Sequence, residues 1–294
     1  MRVRATGETG SVPEGDTVWL AAQRMNTALA GSTLRRGEFR LPQLAALDLA
    51  GTAVREVVPR GKHLLIRLGD ERTLRTHFRM DGSWHIYRPG ARWRGGPGYD
   101  VRVVLANDQW ECVGYRLHDV QIVPTADEAR LVGHLGPDVL GPDWDLDEAL
   151  RRLRAQPDEQ IGVAVLDQRN LAGIGNLYKV ETLFLCGVHP WARVGDVADL
   201  AAVVTRARTL MLANRHHPEQ STTGITRRGQ DHWVAGRKGR PCRRCGTAIL
   251  LGEQGPPTQE RVTWWCPSCQ AARSPIDPSA RTGEPGRPQP VTLY

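Results

Sequence analysis

No stretch of this chain approaches the roughly 20 consecutive apolar residues that a membrane-spanning helix needs, so a span is excluded. Residues 1 to 12 carry two arginines but no apolar run of the kind a secretion signal requires, and the protein is expected in the cytoplasm. There is no internal repeat, and no amphipathic basic helix stands out to lie on an anionic membrane surface. Cysteine is sparse, with six in 294 residues. Four of the six are clustered near the C-terminus, which leaves Cys112 and Cys186 as isolated thiols, expected to be reduced and buried.

What is present is a chain long enough for two or three domains, 40% hydrophobic, with a formal net charge of +7. Together with a pI near 9.4, this balance leans toward a polyanionic partner, of which nucleic acid is the commonest. The C-terminal cysteines are Cys242, Cys245, Cys266 and Cys269, two CxxC pairs. Each pair on a tight turn can aim two thiolates at one point, and four sulfur ligands close the shell of a structural Zn²⁺. Between Arg227 and Arg244 lie Arg227, Arg228, Arg237, Lys238, Arg240, Arg243 and Arg244 against one acid, Asp231. On charge alone such a ribbon fits a phosphate backbone and a solvated basic face on a folding module equally well.

The helical spacing of DTVWLAAQRMNTAL predicts a helix over 16–29, with Asp16 or Thr17 as its N-cap. AVREVVPRG, HLLIRLGDE, TLRTHFRMDGSWHIY, DVRVVLANDQWEC and DVQIV follow as the strands of an antiparallel sandwich or barrel. GPDVLGPDW, rich in Gly, Pro and Asp, marks a boundary. Helical patterns then run over 146–153, 161–166, 177–186 and 200–213. The expected organisation is α+β: a β-sandwich over 13–135, a helical domain over 145–235 and a zinc finger over 236–270. Residues 1–12 read as a non-native leader, and 271–294, with five prolines, as a disordered tail.

Four segments carry candidate chemistry. VPEGDTVW (12–19) opens the first helix and holds Pro13 and Glu14. RGKHLLI (60–66) places Lys62 at a turn before an apolar strand, and LDQRNLAGIGNLYKVETLF (166–184) reads as a helix to about Arg169, a glycine turn and a second helix beginning beside Asn176. A helix N-terminus after a glycine turn offers N–H donors to a phosphate. RVTWWCPSCQ (261–270) puts Arg261 on a β-hairpin beside the second cysteine pair, where a guanidinium can clamp a phosphate.

In order and spacing these motifs resemble the formamidopyrimidine-DNA glycosylase and endonuclease VIII family of base-excision repair, over about residues 12 to 270. PEGDT and the RGK context resemble the endonuclease VIII branch, the purine-lesion branch typically opening PELPE. The resemblance implies a β-sandwich domain, a helix-two-turn-helix domain and a zinc finger gripping damaged double-stranded DNA, and a monomer associated with the nucleoid. It implies Pro13 as the nucleophile through a Schiff base, Glu14 as acid/base, and Lys62, Asn176 and Arg261 as phosphate ligands, with Met80 of HFRMDG filling the void left by a flipped base. The purine branch's DPRRFG-like loop has no counterpart in YRLHDVQIV (115–123), which argues against 8-oxoguanine as main substrate and toward oxidised pyrimidines.

The mechanism needs a proline with a free amine, and Pro13 is internal. GTG codes for Val within a gene and for Met when it initiates, so translation from position 12 followed by initiator removal would expose Pro13. A protein that kept the scaffold as a non-catalytic binder of lesions or abasic sites is the competing expectation. A generic zinc-ribbon RNA or transcription factor leaves the pairing of Pro13 with Glu14 unexplained.

Overall fold

The computed structural model describes residues 13–271, so the 1–12 leader, the start at Val12 and all but the first residue of the 271–294 tail lie outside the described residues. The chain runs α1 (Gly15–Leu29), β1 (Arg36–Phe39), β2 (Val54–Arg60), β3 (His63–Leu68), β4 (Arg72–His77), β5 (Ser83–Tyr87), β6 (Val101–Ala106), β7 (Glu111–Tyr115) and β8 (Asp119–Pro124). It continues through α2 (Ala129–Val132), α3 (Leu146–Arg154), α4 (Ile161–Ala164), α5 (Asn176–Leu185), α6 (Leu200–Asn214), β9 (Leu250–Gln254) and β10 (Arg261–Trp265).

The first eight strands form two antiparallel four-stranded sheets, ordered β1-β6-β7-β5 and β2-β3-β4-β8. Period-two alternation sends Leu64, Ile66 and Leu68 of β3 into the core between them, where they join Phe39, Val103, Leu105 and Cys112 of the facing sheet. Val18, Ala22, Met25 and Leu29 of α1 close that core. Leu65 points the other way and packs with Val132, Leu135 and Ala172, tying the sheet to the helical region. Strand β1 had no sequence signal, because RGEF puts two charges in four residues and only its alternate positions are buried.

The helical region buries Leu150, Leu153, Ile161, Leu171, Leu183, Val204 and Met211 in a second core. Two of its helices have side-chain N-caps: Asp145 accepts from the Glu148 N–H and Asp199 from the Ala202 N–H. A third cluster joins Val180 and Phe184 of α5 to Val234, Ile249, Cys242 and Cys266, so α5 is shared between the helical region and the C-terminal hairpin β9–β10.

Three expectations need correction. Glu14, not Asp16 or Thr17, caps α1, and Asp16 lies inside the helix with a buried side chain. The helix preceding the glycine turn ends at Ala164, well before Arg169, and beyond it Asp167 Oδ1 accepts from the Arg169 N–H at 2.9 Å in a side-chain turn. Cys112 is buried, but Cys186 is only half-buried.

Candidate active site

The Pro13-Glu14 dipeptide sits where α1 meets the N-terminus of α5, and glycines make the meeting possible. The Gly15 N–H donates to the Gly173 carbonyl at 2.9 Å. A Cβ on Gly15 would come within 2.9 Å of Gly173 Cα, and Gly173 itself has φ +105°, a region L side chains rarely adopt. Gly175 then caps α5. The result is that Glu14 sits over the free N–H groups of that helix: Oε2 accepts from Gly175 at 2.8 Å and Oε1 from Leu177 at 2.7 Å. These donors were expected to hold a phosphate. They hold a carboxylate of the protein instead, and the helix dipole acts on the same group.

Glu14 is buried, and burial pushes its pKa up to about 7 against the opposing pull of the Lys62 charge and the backbone donors. Lys62 is half-buried as a residue, but its ammonium is enclosed deeply enough that burial lowers its pKa, partly offset by the Glu14 charge. The turn carrying it is held in place: the Gly61 N–H donates to buried Asp138 Oδ2 at 2.6 Å, across the boundary between sandwich and helices. Arg261 opens β10, is exposed, and acts on Lys62 through its charge. Asn176 donates through Nδ2 to the Val262 carbonyl at 2.8 Å, while its Oδ1 has no protein partner.

Met80 stands at the tip of the 78–82 loop and is 62% exposed, which excludes a role as core filler. The loop is tightly built: Gly82 N–H donates to the Phe78 carbonyl at 2.8 Å, Arg79 has φ +51°, and the Arg79 N–H donates to His77 Nδ1 at 3.2 Å. Burial pushes the His77 pKa down to about 4, so the ring stays a neutral acceptor near pH 7. Only Arg116, Leu117 and His118 link β7 to β8, so this connection has no room for a second protruding loop.

Three further groups belong to the site and were not anticipated. Buried Asp16 accepts from the Tyr178 hydroxyl at 2.5 Å and from Gln220 Nε2 at 2.8 Å, pinning α1 to α5 and to the segment after α6. Burial raises the pKa of Asp16 and of Tyr178. Lys179 is 1% exposed, donates to Thr263 Oγ1 at 2.6 Å, and its pKa is pushed down to about 7 by burial. Glu181 is buried and accepts from the N–H groups of Trp233, Val234 and Ala235, each at 2.8 Å. Lysine is scarce, only Lys62, Lys179 and Lys238 among 39 basic residues, but nothing in the sequence marks Lys179 as buried, because its partner Thr263 lies 84 residues away.

Cys242, Cys245, Cys266 and Cys269 converge, with all four Sγ atoms within 4.8 Å of one another. Four sulfurs at Zn–S distances of about 2.3 Å would lie about 3.8 Å apart, so the cluster fits a tetrahedral metal ion with a closed shell.

Two family models match the chain. The formamidopyrimidine-DNA glycosylase N-terminal domain covers residues 12–134 and the formamidopyrimidine-DNA glycosylase H2TH domain covers 135–225. A Streptomyces coelicolor protein named "Probable endonuclease 8 2" is 54% identical over 274 residues, 92% of this chain and 98% of that protein. A DNA-(apurinic or apyrimidinic site) lyase of Mycolicibacterium smegmatis is 42% identical over 89% of this chain and all of its own length. Among solved structures, Lactococcus lactis Fpg in complex with DNA containing an abasic site superposes with a TM-score of 0.72 at 21% identity, covering 88% of this chain and 100% of that one.

Proposed function

The chain belongs to the formamidopyrimidine-DNA glycosylase and endonuclease VIII family, and from that premise we propose that it is a bifunctional DNA glycosylase and abasic-site lyase that removes oxidised pyrimidines in base-excision repair. The observation that carries this reading is the placement of Glu14, next to Pro13, on the N-terminus of α5 with a pKa of about 7. A carboxyl group balanced between its two forms near neutrality can both give and take a proton.

The active form begins at Pro13. An α-amino group has a pKa of about 8, so a neutral secondary amine is available near physiological pH. Its nitrogen attacks C1′ as the bond to the damaged base breaks, and the proton shed by the attacking amine passes to the departing base, which leaves as the neutral heterocycle. Glu14 protonates the ring oxygen, the sugar opens, and the C1′–nitrogen bond becomes an iminium, cationic without needing a further proton. That cation acidifies C2′. Loss of a C2′ proton expels the 3′ phosphate, and a second elimination expels the 5′ phosphate.

Lys62, Asn176 and Arg261 bind phosphates flanking the extruded nucleotide, and Met80 occupies the gap in the base stack. The free Oδ1 of Asn176 accepts no proton from a phosphate, so its phosphate contact runs through the second Nδ2 hydrogen. Zn²⁺, held by Cys242, Cys245, Cys266 and Cys269, would fix the fold of the hairpin that carries Arg261, a structural role. The protein works as a monomer within the cytoplasm. No helix among the described residues is long and apolar enough to cross a membrane.

Borohydride trapping on a duplex with one abasic site, with the 294-residue chain and a chain starting at Pro13, tests the reading. A covalent adduct mapped to Pro13 in the shorter chain is expected. Binding without an adduct in either chain would establish a non-catalytic binder of abasic sites in place of the enzyme.

A further inference from the structure

The outer face of sheet β1-β6-β7-β5 carries a feature that the cleft does not use. Val104, Val113 and Tyr115 form a small apolar cluster there, and the segment 88–98 (RPGARWRGGPG) folds across it with Trp93 docked against the cluster. The Trp93 indole N–H donates to Glu111 Oε2 at 2.8 Å, and the Arg94 N–H donates to the Tyr87 hydroxyl at 3.1 Å. Docking Trp93 leaves its neighbours Arg92 and Arg94 exposed on the rim of a shallow groove of about 510 Å³ lined by Arg92, Trp93, Arg94 and Gly96.

The charge on this face is unbalanced. Arg36 and Arg40 lie over the Trp93 ring at 5.7 and 5.9 Å, and Arg88 stacks on Trp110 at 3.8 Å. Glu38 is taken by both Arg36 and Arg40, and Asp108 by Arg35. Among the described residues, Arg88, Arg92, Arg94 and Arg102 form no ion pair. Arg92 and Arg94, two exposed guanidinium groups without a carboxylate partner on the rim of a concave strip, are what a polyanion would neutralise.

We propose that this face is a second DNA-contacting surface, which follows the phosphate backbone of the duplex flanking the cleft on one side of the lesion. The proposal rests on the DNA-processing reading of the cleft. Continuity argues for the same duplex. At its far end the 88–98 segment closes on Arg116, whose Nη1 lies 3.1 Å from where a Cβ on Gly96 would sit. Arg116 in turn donates to the Asp81 carbonyl at 3.0 Å, at the base of the Met80 loop, and to Asp100 at 2.8 Å. The 88–98 segment therefore reaches from the Tyr87 end of β5, where the Arg94 N–H meets the Tyr87 hydroxyl, to Arg116 beside the loop that would enter the base stack. β5 has five residues, about 17 Å, so Arg92 and Arg94 would meet the duplex about five base pairs from the lesion.

The aromatic groups decide what is read. Trp93 is docked and Trp110 is covered by Arg88, so neither offers a free ring to an unstacked base. The surface contacts phosphate without sequence preference, and suits a duplex better than a single strand.

The test uses a short duplex with a central abasic-site analogue and two longer ones, extended by about ten base pairs on one side or the other, or ~34 Å. Binding is followed by fluorescence anisotropy across salt for the wild type and for Arg92→Ala/Arg94→Ala, which keeps Trp93. Extension on one side only should tighten wild-type binding. On that duplex the double variant should show a salt slope shallower by about two units, so that between 50 and 200 mM salt the wild type loses about ten-fold more affinity than the variant. Turnover of the short duplex should not change. Arg92→Glu/Arg94→Glu should weaken binding to the extended duplex further. Equal slopes for variant and wild type on every duplex would overturn the proposal while leaving the cleft's function intact. Failure of the wild type to bind even the short duplex would overturn both.

Discussion

Gly175→Ala is the sharpest test of the role given to Glu14, because the backbone there accepts alanine and only the Glu14 side chain stands in the way of its methyl group. Gly175 has φ −121° and ψ −166°, ordinary extended geometry, so the substitution introduces no backbone strain. What it introduces is a methyl group 2.5 Å from Glu14 Oε1 and 2.6 Å from Cγ. Carbon and oxygen atoms settle at about 3.5 Å, so the carboxylate must retreat by about 1 Å. Such a shift breaks or bends its bonds to the Gly175 and Leu177 N–H groups at 2.8 and 2.7 Å. Hydrogen bonds to a charged group contribute about 1.5–3 kcal/mol each, which sets the loss at roughly 3–6 kcal/mol if both fail and less if α5 yields. A reacting group displaced by 1 Å loses about 10²-fold in rate. Single-turnover cleavage of an abasic-site duplex by the Pro13-starting chain should therefore fall about 100-fold, with binding largely retained. Gly98→Ala, where an added Cβ meets nothing within 4 Å, is the control. A wild-type cleavage rate in Gly175→Ala would show that the position of Glu14 does not limit the chemistry, and the proposed acid/base role would fall.

Glu14, raised from 4.5 to about 7 by burial, should give the cleavage rate an inflection near pH 7 that Glu14→Gln abolishes. The same shift means that the folded state holds a proton the unfolded state releases first. Stability should drop by about 3 kcal/mol as pH rises from 4.5 through 7, a drop missing from denaturant titrations of Glu14→Gln. Lys179 is the opposite case, lowered from 10.5 to about 7. Its contribution should be least favourable below pH 7 and recover toward pH 10.5, so Lys179→Met should raise the melting temperature at pH 6 and do so progressively less in alkaline buffer; a lower Tm at pH 6 refutes this. Removing the metal with a chelator should weaken DNA binding by loosening Arg261 and the Val262 carbonyl that anchors Asn176, with the far-ultraviolet signal of the sandwich intact; full-rate cleavage by a chelated protein with its hairpin unfolded would contradict the role of Arg261. Met80→Ala should change stability by less than about 0.5 kcal/mol, because the side chain is exposed, while reducing excision from duplex DNA.

The parts of this fold that follow a strong local pattern were legible from the sequence. Strands β2 to β8 alternate or run apolar between turn residues, and α1, α3, α5 and α6 carry helical spacing, whereas the caps Asp145 and Asp199 of α3 and α6 were not read in advance. The cysteine spacing located the sulfur cluster because chelation geometry is local to each CxxC pair. The residues that were missed act across long sequence separations. Asp16 meets Tyr178 and Gln220, Asp138 meets Gly61, and Lys179 meets Thr263. A buried polar side chain betrays itself only through its partner, and no periodicity encodes a partner so many residues away. Asp16 illustrates the ambiguity well. In sequence it looks like a helix cap, because Asp before an apolar helix usually is one, and only the approach of α5 turns it into a buried acceptor.

That approach also explains why the phosphate-binding expectation for the glycine turn had to give way. A helix N-terminus can serve one anion well, and α5 serves Glu14. Having done so, the same helix sends Asn176 and Lys179 to β10 and Glu181 to the 233–235 backbone. The carboxylate, the Arg261 hairpin and the segment leading into the first cysteine pair are thus all referenced to ten residues of one rigid element. Displacement of α5 would move the Glu14 carboxylate and the hairpin arginine together, so substitutions that loosen the helix, such as Val180→Ala in the buried cluster beneath the hairpin, should impair binding and cleavage in parallel. Gly175→Ala, which moves the carboxylate alone, should separate them.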